Sequence, residues 1–143
     1  MRQALRLLPA LAFFLLYSPS LLAQQPATSP AKDYSFTVPA AKPWTDTGID
    51  LVRGQIVHVY GSVVSCGAVT PLAKHALPFP SAPVGVLLMK LHLDSPPIPA
   101  TPDAEVPVLD PSHLYLGVNG ANCAGGTIPA KVHIEPAPPA VKK

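Results

Sequence analysis

The sequence predicts an all-β fold, an antiparallel β-sandwich. Short apolar runs alternate with polar residues at a period of two, as in Tyr34-Ser35-Phe36-Thr37-Val38. Clusters of Gly, Pro and Asn separate these runs, as turns between strands require. Twenty prolines spread along the chain argue against long helices, since each removes a backbone donor and fixes one dihedral.

The expected elements follow in chain order. Tyr34–Val38 is the first strand. The segment Pro43-Trp44-Thr45-Asp46-Thr47-Gly48-Ile49-Asp50-Leu51 reads as a turn in which the Asp46 carboxylate accepts backbone N–H groups. Trp44, the only tryptophan, either plugs one end of the sandwich or offers its ring to a sugar face. After the turn Val52-Arg53-Gly54, Gln55–Tyr60 forms a strand. Val84–Leu93 (VGVLLMKLHL) is a longer apolar run, where Gly85, the valines and the nearby prolines favour strand over buried helix. His113–Val118 and Ala130–Glu135 complete the set. Five or more short strands between residues 34 and 135 make a sandwich or barrel.

The ends are of another kind. Arg2 and Arg6 precede a mostly apolar stretch from Leu7 to Leu22, the pattern of a secretory signal with cleavage after Ala23. Pro9, Pro19 and the short span disfavour a permanent transmembrane helix, which needs roughly 20 consecutive apolar residues. Residues 24–33 (QQPATSPAKD) read as a flexible leader, residues 34–135 as the β-sandwich domain, and residues 136–143 (PAPPAVKK) as a disordered Pro-rich tail. Location is therefore exported, periplasmic or extracellular. Without residues 1–23 the ten basic residues fall to eight, against eight acidic ones, so no basic field for nucleic acid or anionic membrane remains.

Both cysteines fall on loops just past apolar strands, Cys66 in Ser65-Cys66-Gly67 and Cys123 in Asn122-Cys123-Ala124. In an oxidising compartment two thiols on neighbouring loops form one disulfide. His58, His92 and His133 each stand between apolar neighbours and face away from the core, and no two share the spacing that puts two imidazoles on one metal from one element. His75 is the more accessible loop histidine, ahead of His113. Asp46-Thr47-Gly48 matches the aspartic-protease tripeptide, but that motif ends an apolar strand, whereas Pro43-Trp44-Thr45 precedes it here. Neither a Gly-x-Ser-x-Gly elbow nor a phosphate-cradling glycine loop is present. Catalysis is the weaker class of function.

The motif order Pro43–Gly61 (PWTDTGIDLVRGQIVHVYG), Val84–Leu91 (VGVLLMKL) and Leu114–Ile134 (LYLGVNGANCAGGTIPAKVHI) resembles the calcium-dependent galactophilic lectins of the LecA type and related secreted bacterial proteins. The likeness spans most of residues 38–135 and implies a galactose-binding-like jelly roll. It also implies loop oxygens around Ca²⁺, a hard cation, which in turn holds sugar hydroxyls. Asn119 matches the family's asparagine, but Gly120 stands where a carboxylate is expected, and Cys123, Ala124 and Gly125-Gly126 replace further ligand positions. Too few oxygens remain. On this alignment Cys66 and Cys123 join the two loops that calcium bridges in the family.

The resulting expectation is a secreted, non-catalytic module binding a glycan or cell-envelope component without calcium, metal or cofactor. Asn119, Asn122 and Thr127 would supply hydrogen bonds, with His75 from the Gly67–Pro83 loop and Trp44 as the competing anchor. The alternative is a structural or protein-interaction sandwich that has lost sugar binding, and a single-motif aspartic protease through Asp46 is a distant third. The sequence sets neither ligand nor oligomeric state.

Overall fold

The apolar runs pair into two four-stranded antiparallel sheets in the computed structural model, which describes residues 30–120, 123 and 125–139. The strands are β1 (Lys32–Pro39), β2 (Thr45–Leu51), β3 (Ile56–Gly61), β4 (Leu87–Lys90), β5 (Ile98–Pro99), β6 (Asp103–Pro107), β7 (Ser112–Val118) and β8 (Thr127–Glu135). One sheet has the order β1-β8-β3-β6 and the other β2-β7-β4-β5. The single helix among the described residues is one turn, α1 (Pro71–Lys74), N-capped by Thr70. The all-β sandwich expected from the sequence is what forms.

Alternation along each strand decides which residues meet between the sheets. Val57 and Val59 of β3 and Ile128, Ala130, Val132 and Ile134 of β8 turn inward, against Leu87 and Met89 of β4 and Leu114, Leu116 and Val118 of β7. Each such aliphatic side chain contributes about 1.5–3 kcal/mol on leaving water. Outward residues of β3 and β8 include the polar His58, Lys131 and His133.

The chain changes sheet at six of its seven strand connections, so the loops gather at two ends. At one end the β1–β2, β3–β4, β5–β6 and β7–β8 loops are tied by Ala40 N to Gly126 O at 2.9 Å, Gly85 N to Asn119 O at 2.8 Å and Thr101 Oγ1 to Ser62 O at 3.3 Å. At the other the β2–β3, β4–β5 and β6–β7 loops meet through Gly54 N to Val108 O and Val108 N to Gln55 O, both 2.8 Å. The edges β5 and β6 are short and carry Pro99 and Pro107, with Asp103 and Glu105 exposed on β6, features that blunt edge-to-edge pairing.

Three expected boundaries change. The Val84–Leu93 run is strand only over Leu87–Lys90. Gly85 takes φ 87°, Val86 makes a lone bridge to Val63, and the chain turns after Lys90 through Ser95 Oγ donating to His92 O at 2.8 Å. The Trp44–Leu51 segment is mostly strand, with the expected Asp46 turn contained in it as a bulge. Lys32 and Asp33, expected in the leader, begin β1 opposite Ile134 and His133.

Candidate functional site

The cysteines do bond: Cys66 and Cys123 form a disulfide with their Cα atoms 4.2 Å apart, joining the β3–β4 and β7–β8 loops. Cys123 is buried in the main core. Asn119, four residues before Cys123, is fully buried. Its Oδ1 accepts from Phe79 N at 3.0 Å, and its Nδ2 faces the carbonyls of Phe79, Ala82 and Pro83 at 3.0, 3.2 and 3.0 Å. Both amide hydrogens are thus committed, so the expected role of Asn119 as a ligand donor is corrected to that of a bracket holding residues 79–83.

Thr127 is exposed where β8 starts, opposite Pro39. His75 is the exposed C-cap of α1. Asn122 lies outside the described residues.

Trp44 lies in the β1–β2 loop, at the same end as the disulfide. It precedes β2 on the outer face of the second sheet, packed with Phe79 against Ala82, Val86 and Leu88. Gly117 of β7 allows this: a Cβ there would stand 2.5 Å from Pro43 O and 2.8 Å from Trp44 Cε3. Lys90 Nζ lies 4.5 Å from the ring centre, a cation–π distance. Part of the aromatic surface is therefore already used within the protein.

The same outer face holds, among the described residues, a histidine and an aspartate whose titration is shifted. Asp46 pairs with Tyr115 and Asp50 with His113, so four steps along β2 face two along β7. The surplus is a bulge at Gly48, which takes φ 69°. Its loosened polar groups are satisfied locally: Thr47 Oγ1 donates to Leu114 O at 2.7 Å, Ile49 N donates to Thr47 Oγ1 at 3.2 Å, and Gly48 N donates to Asp46 Oδ1 at 2.8 Å. Shortening β2 in this way brings both carboxylates to one ring. His113 Nε2 is 2.6 Å from Asp46 Oδ1, and Nδ1 is 2.6 Å from Asp50 Oδ1.

Hydrogen bonds to Asp46 and then Asp50 raise the His113 pKa above its ordinary value. The bond to His113, followed by that from Gly48 N, lowers Asp46. These bonds favour the ionised form of Asp46 and the protonated form of His113. Tyr115 packs tilted against His113 with ring centres 5.0 Å apart, and Lys90 stands opposite Tyr115 on β4.

A separate groove of about 420 Å³ opens at the end away from the disulfide. Leu91, Pro97, Ile98, Val106 and Leu109 line it, with His92, Asp110 and Ser112 among its polar residues. The Ser112 Oγ is buried without a partner. Sequence reasoning missed both this groove and the His113 cluster; the second had a signal, Asp46 and Asp50 four apart around a glycine.

No protein-family model, curated protein or solved structure matches this chain.

Proposed function

We propose that this is an exported, non-catalytic glycan-binding module, and that its ligand surface is the outer face of the second sheet. One observation carries the reading: Asp46, Tyr115 and Lys90 form a single row across β2, β7 and β4. His113 with Asp50 stands beside that row, and Trp44 flanks it over Gly117. A half-buried aromatic ring between an acceptor and a donor is the chemistry that recognises a polyhydroxylated ring, which presents an apolar face and an edge of hydroxyls. No calcium is required by this arrangement.

Export is supported by the signal-like residues 1–23 and by the disulfide, which persists in oxidising compartments. Among the described residues no helix is long and apolar enough to cross a membrane. The lectin resemblance implies a jelly roll; the sheet orders β1-β8-β3-β6 and β2-β7-β4-β5, with strands interleaved between sheets, support that reading.

The test is a glycan array of the mature protein, with and without Ca²⁺, repeated for Tyr115→Ala and Lys90→Ala. Binding should be calcium-independent and fall at least tenfold in Tyr115→Ala at unchanged melting temperature. Absence of any glycan hit, or hits untouched by both substitutions, would overturn the reading.

A protein-interaction module is the second reading, favoured by the groove. Leu91, Ile98, Val106 and Leu109 give it an apolar lining that suits an apolar side chain of a partner protein. Leu109→Asp should abolish such binding and leave glycan recognition intact.

A further inference from the structure

The edges of the two sheets are not alike. β5 is two residues long, β6 carries Pro107 with exposed Asp103 and Glu105, and β2 is broken by the bulge at Gly48. β1 is the exception. It runs in unbroken register with β8 over Lys32–Pro39, and among the described residues it pairs with no other strand.

That register shows which backbone groups of β1 are left over. Ala40 N donates to Gly126 O at 2.9 Å, and the hydrogen-bonded pairs of an antiparallel ladder recur at every second residue, so Val38, Phe36 and Tyr34 bond to β8. Thr37 lies opposite Pro129, which has no N–H to give, as this alternation requires. The N–H and C=O groups of Asp33, Ser35 and Thr37 therefore point to the open edge. Their side chains are exposed. Tyr34 and Phe36, between them, are half-buried and pack against the core, their ring centres 6.4 Å apart.

The strand is self-complementary. With a two-fold axis at Ser35, Asp33 meets the partner's Thr37 and Ser35 meets the partner's Ser35, each pair exchanging both N–H···O=C bonds. Only this antiparallel register uses all three outward residues of both copies. Moving the axis to Phe36 sets Asp33 against a proline without an N–H, Pro39, and moving it to Tyr34 sets Thr37 against Ala31, outside the strand. The axis at Ser35 also places Tyr34 opposite the partner's Phe36 in a non-hydrogen-bonded pair, where side chains come closest and aromatic pairs stabilise a sheet.

We propose that two copies of this chain join edge to edge by antiparallel β1–β1 pairing centred on Ser35, so that their first sheets become one. A contact one strand deep is small beside the roughly 1,200–2,000 Å² of a standard stable interface, so the dimer is reversible. The outer face of the second sheet stays uncovered, and the pairing does not rest on what that face binds.

Sedimentation equilibrium of the disulfide-intact mature protein tests this. A concentration-dependent monomer–dimer equilibrium is expected. Ser35→Pro should weaken it at least tenfold, because the ring removes an outward N–H and leaves the ladder to β8 whole, the situation in which an edge strand accepts proline. Melting curves of the variant check its fold. Ser35→Cys gives a readout independent of that variant, since hydrogen-bonded residues directly opposite each other have Cα atoms about 5.5 Å apart, within disulfide reach. Its cross-linked dimer should form at least tenfold faster than that of Leu72→Cys, a control on the exposed turn α1. A monomer at every concentration, a dimer indifferent to Ser35→Pro, or equal cross-linking of the two cysteine variants would each overturn the proposal.

Discussion

His113 Nε2 lies 2.6 Å from Asp46 Oδ1, although the two residues are 67 positions apart in the chain. Their pKa shifts, one up and one down, set the pH range in which the pair stabilises the fold. His113 is raised, so its contribution is full below its ordinary 6.5 and is lost as pH rises through the higher folded value. Asp46 is lowered, so its contribution is full above its ordinary 3.8 and is lost as pH falls through the lower folded value. The melting temperature of wild type minus that of His113→Asn should be greatest between 3.8 and 6.5 and should shrink on both sides. Both groups meet solvent, so salt should reduce the difference. A difference that grows from pH 7 to pH 9 would contradict the pairing.

Gly117→Ala should destabilise the protein by about 1–3 kcal/mol, the usual cost of forcing a group into filled space. The added methyl would meet both the Pro43 carbonyl and the indole of Trp44. Because Trp44 is the only tryptophan, its fluorescence reports the displacement directly. Denaturant melts of wild type and variant, followed at the indole emission, should show both the lower midpoint and a shifted native spectrum. An unchanged spectrum would mean that the ring does not lie on Gly117.

The sandwich and its staple were legible because they rest on local patterns. Alternation at β1, β3, β7 and β8 declares which residues face the core, and Cys66 and Cys123 stand on loops that follow strands. What was hidden depends on register. Thr45–Leu51 carries polar residues and a glycine, and only pairing with β7 makes it a strand. The bulge that gathers Asp46 and Asp50 on His113 exists only in that pairing. Asn119 looked like a ligand because an amide in a glycine-rich loop is equally suited to a sugar or to a backbone; its burial decides for backbone. Val84–Leu93 was overextended since apolar character alone does not mark where Gly85 and Ser95 turn the chain.

Cys66→Ser, Cys123→Ser and the double variant should each lower stability by about 4 kcal/mol, since the bond closes 57 residues and the chain-entropy model scales with the logarithm of that length. Cys123→Ser should lose somewhat more than Cys66→Ser, because it also sets a hydroxyl in the core where Cys123 is buried. Thiol titration of the denatured, unreduced wild type should find no reactive group. Chemical denaturation measures the stability, and two titrating thiols per chain would remove its cause.

Asn119→Asp should destabilise more than its near-identical shape implies. The Nδ2 of Asn119 serves the carbonyls of Phe79, Ala82 and Pro83, so an ionised carboxylate would set a buried negative charge against three carbonyl oxygens and leave them without a donor. An unsatisfied buried group alone costs about 1–3 kcal/mol, and a charge costs more. The carboxyl should respond with a folded pKa well above its unfolded value, which makes the stability of the variant recover as pH falls and the group protonates. Asn119→Ala carries no charge and should lose stability without that recovery. Melting temperatures of both variants from pH 4 to pH 8, each referred to wild type at the same pH, distinguish the two. If Asn119→Asp tracks wild type across this range, the amide is not the bracket for residues 79–83, and the β7–β8 loop is again available to a ligand.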